Sequence, residues 1–165
     1  MATITATRAM DAPRETVWDV LVDPDVYEAV APNLSVVEIV SGDGAGMVRR
    51  CVDTNGNAWT ETVDHWDDGH QFGVTVDVAD SEFHRRLFDR FDGRWAVEER
   101  ADDVLVTVEF EYETKYGPLG WPISKFFQYK APGLVAEIFD GWEAEIAERL
   151  GNQVAGHTDE ATASH

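Results

Sequence analysis

Hydrophobic and polar residues alternate along much of this chain. The run DVLVTVEFEYET (103–114) is the clearest case. Val104, Val106, Val108, Phe110 and Tyr112 point one way and Leu105, Thr107, Glu109, Glu111 and Glu113 the other, as in a strand with one buried face. Phe72, Val74, Val76 and Val78 repeat the pattern, as do Trp95 and Val97, while ATITATR (2–8) reads as a first strand rich in Thr and Ile. From Leu34 onward turn-forming clusters arrive at hairpin spacing: Gly42–Gly46, Thr54–Asn57, Asp67–Gly69 and Ala101–Asp103. Asn55-Gly56 is the strongest of these, because both residue types tolerate the positive φ of a tight hairpin turn. The pattern predicts an antiparallel sheet, wet on one face and buried on the other. The segment DSEFHRRLFDRFD (80–92) fits either a continued strand or a helical excursion.

Helical spacing appears at both ends of the chain. Asp11-Ala12-Pro13 opens a helix, with Asp11 or Ala12 near its cap and Val17, Trp18, Leu21 and Val22 on its apolar face. A second short helix runs from Pro24 to Val30 and stops before Ala31-Pro32, since a residue preceding proline is pushed out of helical geometry. Near the C-terminus Leu134, Val135, Ile138, Trp142, Ile146 and Leu150 form an amphipathic stripe that Phe127 and Ala131 extend backward. Pro132-Gly133 predicts a kink or two successive helices. Residues 1–150 read as a single domain, and the small, polar segment 151–165 as a disordered tail.

Composition narrows the function classes. At 165 residues and 44% hydrophobic content the chain suits one domain with its own core. It has no apolar stretch near the ~18 residues of a membrane span, and its start resembles no secretory leader. A cytoplasmic location is the expectation. The lone Cys51 cannot form an internal disulfide, which agrees with a reducing compartment. Thirty-two acidic residues against thirteen basic ones give a formal charge of −19, which argues against nucleic acid and disfavours anionic membrane surfaces. Such a surface also suggests a halophile-like, salt-rich cytoplasm. Against this background KYGPLGWPISKFFQYKAPGLV (115–135) stands out, since it holds all three lysines, three of the six prolines and a dense set of aromatics.

Polar chemistry is sparse. In NAWTETVDHW (57–66) Trp59, Glu61, Val63 and His65 share a face. If Trp59 points inward, Glu61 is buried, and a buried carboxylate needs a partner. Arg49 and Cys51 share a face of the preceding strand, so Arg49 can pair with Glu61 and either orient a ligand's polar end or take part in proton transfer. The opposite register puts Thr60 and Thr62 inward and Glu61 in water. Tyr27, Tyr112 and Tyr116 offer hydroxyls to a ligand or to water at a cavity rim. His65 and His70 bracket Asp67-Asp68-Gly69, with His84 beyond, but the spacing matches no metal motif and turn chemistry explains the acidic pair. Neither a phosphate-binding glycine loop nor a G-x-S-x-G elbow is present. No metal and no cofactor are predicted.

The order strand, two short helices, six strands and long helix carries a family resemblance. The residues that bear it are DAPRETVWDVLVDPDVYEAVAPNLSVVEIV, WTETVDHWDDGHQF and GRWAVEERADDVLVTVEFEYETKYGPLG, and together they span roughly 2–150. The chain resembles the START-like helix-grip superfamily, in its SRPBCC or polyketide cyclase/dehydrase-like branch. That resemblance implies an α+β fold in which a curved antiparallel sheet of about seven strands wraps a long C-terminal helix, with a ligand cavity between them. The expected lining is Tyr27, Arg49, Cys51, Trp59, Glu61, Phe72, Val74, Trp95, Val108, Phe110, Tyr112, Trp121, Phe127, Leu134 and Ile138; a solidly packed core is the alternative.

Three functions follow from this reading. The first is binding or carriage of a small hydrophobic ligand such as a lipid, isoprenoid, quinone or polyketide-like molecule. The second is a cyclase or dehydratase using Glu61, Arg49 or a tyrosine. The third is a protein-interaction module with a filled core and the segment 115–135 as its contact patch. At the cavity entrance, Lys115, Lys125 and Lys130 either attract an anionic headgroup or partner, or simply balance nearby carboxylates.

Overall fold

The computed structural model describes residues 1–163, with side chains described through Ala155. The elements in chain order are β1 (Ala2–Met10), α1 (Arg14–Val22), α2 (Pro24–Val30), β2 (Leu34–Ser41), β3 (Val48–Asp53), β4 (Ala58–Asp67), β5 (Gln71–Val76), α3 (Glu82–Leu87), β6 (Phe88–Glu99), β7 (Val104–Thr114), a 3-10 turn (Gly117–Gly120) and α4 (Trp121–Ala163). The strands form one antiparallel sheet in the order β1-β7-β6-β5-β4-β3-β2. Every neighbouring pair but one is consecutive in sequence. The exception is β1, which pairs with β7 while α1 and α2 carry the chain across to β2 at the opposite edge.

The alternation read in β7 holds in space: Val104, Val106, Val108 and Tyr112 are buried. The period-two pattern slips in β4, where an irregularity in pairing between Val63 and His65 puts Trp66 half inside and leaves His65 exposed. The ambiguous segment 80–92 divides. Ser81 caps α3, its Oγ accepting from the His84 backbone N–H at 3.2 Å, and β6 then starts at Phe88. The first helix begins later than its cap signals suggest, with Pro13 at the cap position and no side-chain cap bond. Asp23 caps α2 instead, accepting from the backbone N–H groups of Asp25 and Val26.

The core lies between the sheet and α4. Val135, Ile138, Phe139, Trp142 and Ile146 bury the stripe of α4 in one cluster with Val97, Val104, Val106 and the α1 residues Val17, Trp18 and Leu21. Helix α4 approaches α2 closely at Gly141, where an added Cβ would sit 2.6 Å from Val30 Cβ. Arg149 of α4 also donates to Asp23 at 3.0 Å, tying the helix to the α2 cap. One helix runs through Pro132, so the alternative of two successive helices does not apply. It continues past Leu150 to Ala163; the side chains of 156–165, in the segment expected to be a disordered tail, lie outside the described residues. None of the described helices is long and apolar enough to cross a membrane.

Candidate functional site

The sheet and α4 do not close on each other along their whole length. At one end α1 fills the gap, with Trp18 packed edge-on to Trp66 and Phe72 at 5.4 and 5.9 Å. At the other end a cavity of about 450 Å³ remains, within the range of small-molecule pockets. Of the lining residues named from the sequence, Tyr27, Cys51, Trp59, Glu61, Val74, Trp95, Phe110, Phe127, Leu134 and Ile138 form part of its wall. The other five lie off it. Arg49 sits behind Glu61, and Phe72 is stacked on Trp95 at 4.9 Å on the filled side. Val108 belongs to the main core. Tyr112 joins a small cluster with Ile4, Phe88 and Ala131, and its hydroxyl bonds Ser124 Oγ at 2.9 Å, meeting neither cavity nor water. Trp121 is 63% exposed on the outside. Alternation tells which face a residue takes, but the filling of one end by α1 decides which inward residues meet open space.

The polar heart of the cavity is a cross-strand pair. Arg49 of β3 stands directly opposite Glu61 of β4, and both are nearly buried, at 5% and 6% exposure. Arg49 Nε donates to Glu61 Oε1 at 2.8 Å, and Nη2 donates to the same oxygen. The Cys51 thiol reaches that oxygen too, at 3.7 Å. The guanidinium carbon lies 5.7 and 5.9 Å from the ring centroids of Phe72 and Trp95, so aromatic faces share the cation. Burial works against the Arg49 charge, but the Glu61 carboxylate outweighs it and raises the pKa. Burial, followed by the Glu61 charge, pushes the Cys51 thiol upward, so it remains a protonated donor and a poor nucleophile. All the hydrogen bonds that Glu61 accepts fall on Oε1; among the described residues Oε2 has none.

Two further polar groups join Glu61 on the wall. Tyr27 packs edge-on to Trp95 and parallel to Trp142, and its hydroxyl has no hydrogen-bond partner among the described residues. Burial and then the Glu61 charge raise its pKa, keeping it a neutral phenol. The sequence offers His84 only as a metal-ligand candidate, yet it is a buried part of this wall. Its Nδ1 lies 2.7 Å from Ser81 Oγ. Ser81 is fully buried and its oxygen already accepts from a backbone N–H, so donating its proton to Nδ1 satisfies the hydroxyl and leaves the imidazole proton on Nε2. Burial lowers the His84 pKa to about 4, against weaker opposing pulls from Glu61 and Asp53, so the ring is neutral. The site therefore offers one anionic acceptor, one neutral donor and one phenol on an otherwise apolar, aromatic wall. The capping signal Ser81-x-x-His84 is legible in the sequence; its proximity to Glu61 comes only with the fold.

The exposed part of the lining comes from Phe83 of α3 and Phe126 of α4 and from Asn33, Thr54 and Asn55 in the loops before β2 and after β3. A larger hollow of about 610 Å³ lies at the opposite end, by Asp11–Glu15 and Glu99–Val104. Its wall is mostly charged side chains and turn residues, and among the described residues none of its polar side chains is buried. Among the described residues no group of three or more His, Cys, Asp or Glu is placed to hold a metal ion.

Comparison with known proteins agrees with this fold. The model of a family described as "Polyketide cyclase / dehydrase and lipid transport" matches residues 1–147. No curated protein matches the chain. Among solved structures, a protein from Thermus thermophilus is similar with a TM-score of 0.72 and 21% identity, covering 90% of this chain and 99% of that one. The Zhui aromatase/cyclase from Streptomyces sp. R1128 aligns with a TM-score of 0.73 and 17% identity over 90% of this chain and 95% of its own. A START superfamily protein from Mycobacterium smegmatis aligns at 0.66 and 14%, over 88% and 97%. At these identities the likeness is one of fold, and the fold is the START-like helix grip.

Proposed function

We propose, for a chain that belongs to the polyketide cyclase/dehydrase and lipid transport family, that the cavity binds a small amphipathic molecule by its hydroxyl-bearing end. The apolar body of the ligand lies against Trp59, Phe91, Phe110 and Leu134, and its hydroxyl donates to Glu61 Oε2. A carbonyl or ether oxygen nearby accepts from His84 Nε2–H or the Tyr27 hydroxyl. The observation that carries this reading is Glu61 itself: a buried carboxylate held by Arg49 through one oxygen, with the other left without a partner among the described residues in an apolar cavity. A carboxylate oxygen that opens on an otherwise apolar cavity and has no partner among the described residues is set for a ligand or an ordered water. The test is solvent extraction of the purified native protein followed by mass spectrometry. A reproducibly retained molecule bearing a hydroxyl is the expected result, and repeated recovery of folded protein with nothing bound contradicts carriage.

One observation favours a catalytic variant of the same reading. A neutral imidazole donor and a carboxylate acceptor on one desolvated wall suit a keto–enol substrate, with His84 polarising the carbonyl and Glu61 drawing on the α-hydrogen, in the manner of a cyclase or dehydratase. Deuterium exchange at the α-carbon of a bound aryl ketone, lost in Glu61→Gln, supports this variant. Absence of exchange above the buffer rate removes it.

A further inference from the structure

The cations of this protein are sorted in space. Nine of its ten arginines sit in ion pairs with carboxylates. Among the described residues the lysine and arginine side chains without an ion pair are Lys115, Lys125, Lys130 and Arg85. All four are exposed and lie in α3, just after β7 or in the start of α4, and both helices add an exposed aromatic to the cavity lining, Phe83 and Phe126. Lys115 Nζ donates to the Arg85 carbonyl at 3.0 Å, which holds two of these cations together. The sequence repeats the message: residues 115–136 contain no acidic residue, in a chain that has thirty-two.

Apolar exposure concentrates in the same place. Trp121, Lys125 and Tyr129 follow one another at i, i+4 spacing, with Phe126 and Lys130 beside them, while Ile123, Phe127 and Ala131 turn toward the sheet. Tyr129, Trp121 and Phe126 are 79%, 63% and 64% exposed, and Leu119 and Tyr116 stand just before them. Lys130 Nζ lies 5.6 Å from the centre of the Tyr129 ring. Amphipathic aromatics interleaved with unpaired lysines match the chemistry of a bilayer interface, where rings sit at headgroup depth and lysines meet lipid phosphates.

We propose that this rim docks the protein on the surface of an anionic lipid bilayer, with Phe83 and Phe126 of the cavity lining facing the lipid. The formal charge of −19 does not forbid it: residues 115–136 carry no carboxylate, Glu82 on α3 is already paired with Arg86, Glu113 is the one exposed carboxylate beside Lys115 in the chain, and charges farther than a Debye length of about 8–10 Å are largely screened. Docking is peripheral and needs no spanning helix. It does not depend on what the cavity holds.

The test is co-sedimentation of the full chain with vesicles of phosphatidylcholine alone and of phosphatidylcholine containing roughly one-third phosphatidylglycerol, at about 0.15 M salt. Stronger partitioning onto the anionic vesicles is expected. The triple variant Lys115→Gln, Lys125→Gln, Lys130→Gln should weaken it by at least about tenfold, since each lysine near an anionic surface contributes measurably. Trp121→Ser with Tyr129→Ser should weaken binding to both vesicle types, whereas Arg50→Gln, on another face, should leave it unchanged. Unfolding midpoints within error of the wild type confirm that these exposed substitutions leave the fold intact. Equal partitioning of the triple variant and wild type overturns the proposal. So does a lack of binding to either vesicle with patch-dependent self-association in sedimentation velocity, which would assign the rim to a second copy. Cavity binding of 2-naphthol, measured without lipid, should be unaffected by the lysine variants, so a failure of docking is distinct from a failure of the cavity reading.

Discussion

Breaking the Arg49–Glu61 pair should destabilise the protein far more than breaking its exposed neighbour. Arg49 and Glu61 are 5% and 6% exposed and directly opposed across β3 and β4. Glu61→Leu leaves the guanidinium against Phe72 and Trp95 with no anion, and removing one member of a buried pair costs about 3–5 kcal/mol. A domain of this kind is stable by only about 5–15 kcal/mol in total. For its length the loss corresponds to a fall in Tm of roughly 6–20 °C. Replacing both, as Arg49→Met with Glu61→Leu, removes both desolvation costs and should return stability to within about 1 kcal/mol of the wild type. The internal control is one residue away: Arg50–Glu38, with side chains 44% and 55% exposed, whose loss should cost about 0–1 kcal/mol. Urea unfolding of the four variants of each cycle, followed by circular dichroism, measures both couplings. A coupling at Arg49–Glu61 no larger than at Arg50–Glu38 refutes the reasoning, as does a double variant no more stable than the weaker single one.

Three other outcomes follow from the same geometry. The His84 pKa is lowered from an ordinary 6.5 to about 4, so its contribution to stability is fully present above pH 6.5 and is lost as pH falls toward 4. Between pH 7.5 and 5 this costs about 2 kcal/mol, and the urea midpoint of His84→Gln should lack that part of the pH slope. Gly141→Ala should destabilise the fold by about 1–2 kcal/mol despite alanine's better helix propensity, because the new methyl meets Val30; a more stable variant in thermal melts would mean that α2 yields freely. Leu134→Trp projects bulk into the cavity from α4 and should weaken 2-naphthol binding by roughly tenfold or more with little change in Tm, read by calorimetry; unchanged affinity would move the ligand elsewhere.

The sheet is legible in the sequence because its signals are local. Alternation in 104–112, the Asn55-Gly56 turn and the acid-flanked stripe of α4 each follow from spacing alone, and the family resemblance supplies their assembly. The pair Arg49–Glu61 can be reached in a similar way, since a hairpin centred on Asn55 brings positions 49 and 61 face to face. His65 departs from its expected face because a pairing irregularity after Val63 is invisible to parity. Phe72, Val108 and Tyr112 face inward as alternation requires but lie where α1 or α4 fills the space, a property of how far each element reaches along the sheet. His84 escapes notice as a wall residue because α3 cannot be told from a strand by pattern, and its neighbour on the wall, Glu61, lies 23 positions away in the chain. The lysine-rich segment announces itself by composition, while its meaning requires knowing that every arginine but Arg85 is already paired.

Whether Glu61 receives the ligand is decided by calorimetric binding of 2-naphthol against its methyl ether, to the wild type and to the Arg49→Met, Glu61→Leu variant. The two probes share an apolar body and differ in the hydroxyl that would donate to Glu61 Oε2. The wild type should prefer 2-naphthol by roughly ten- to a hundredfold, the worth of a hydrogen bond to a charged acceptor, and the variant should bind both alike. Equal affinity of the wild type for both probes, or a preference that survives in the variant, would contradict a cavity built around that carboxylate.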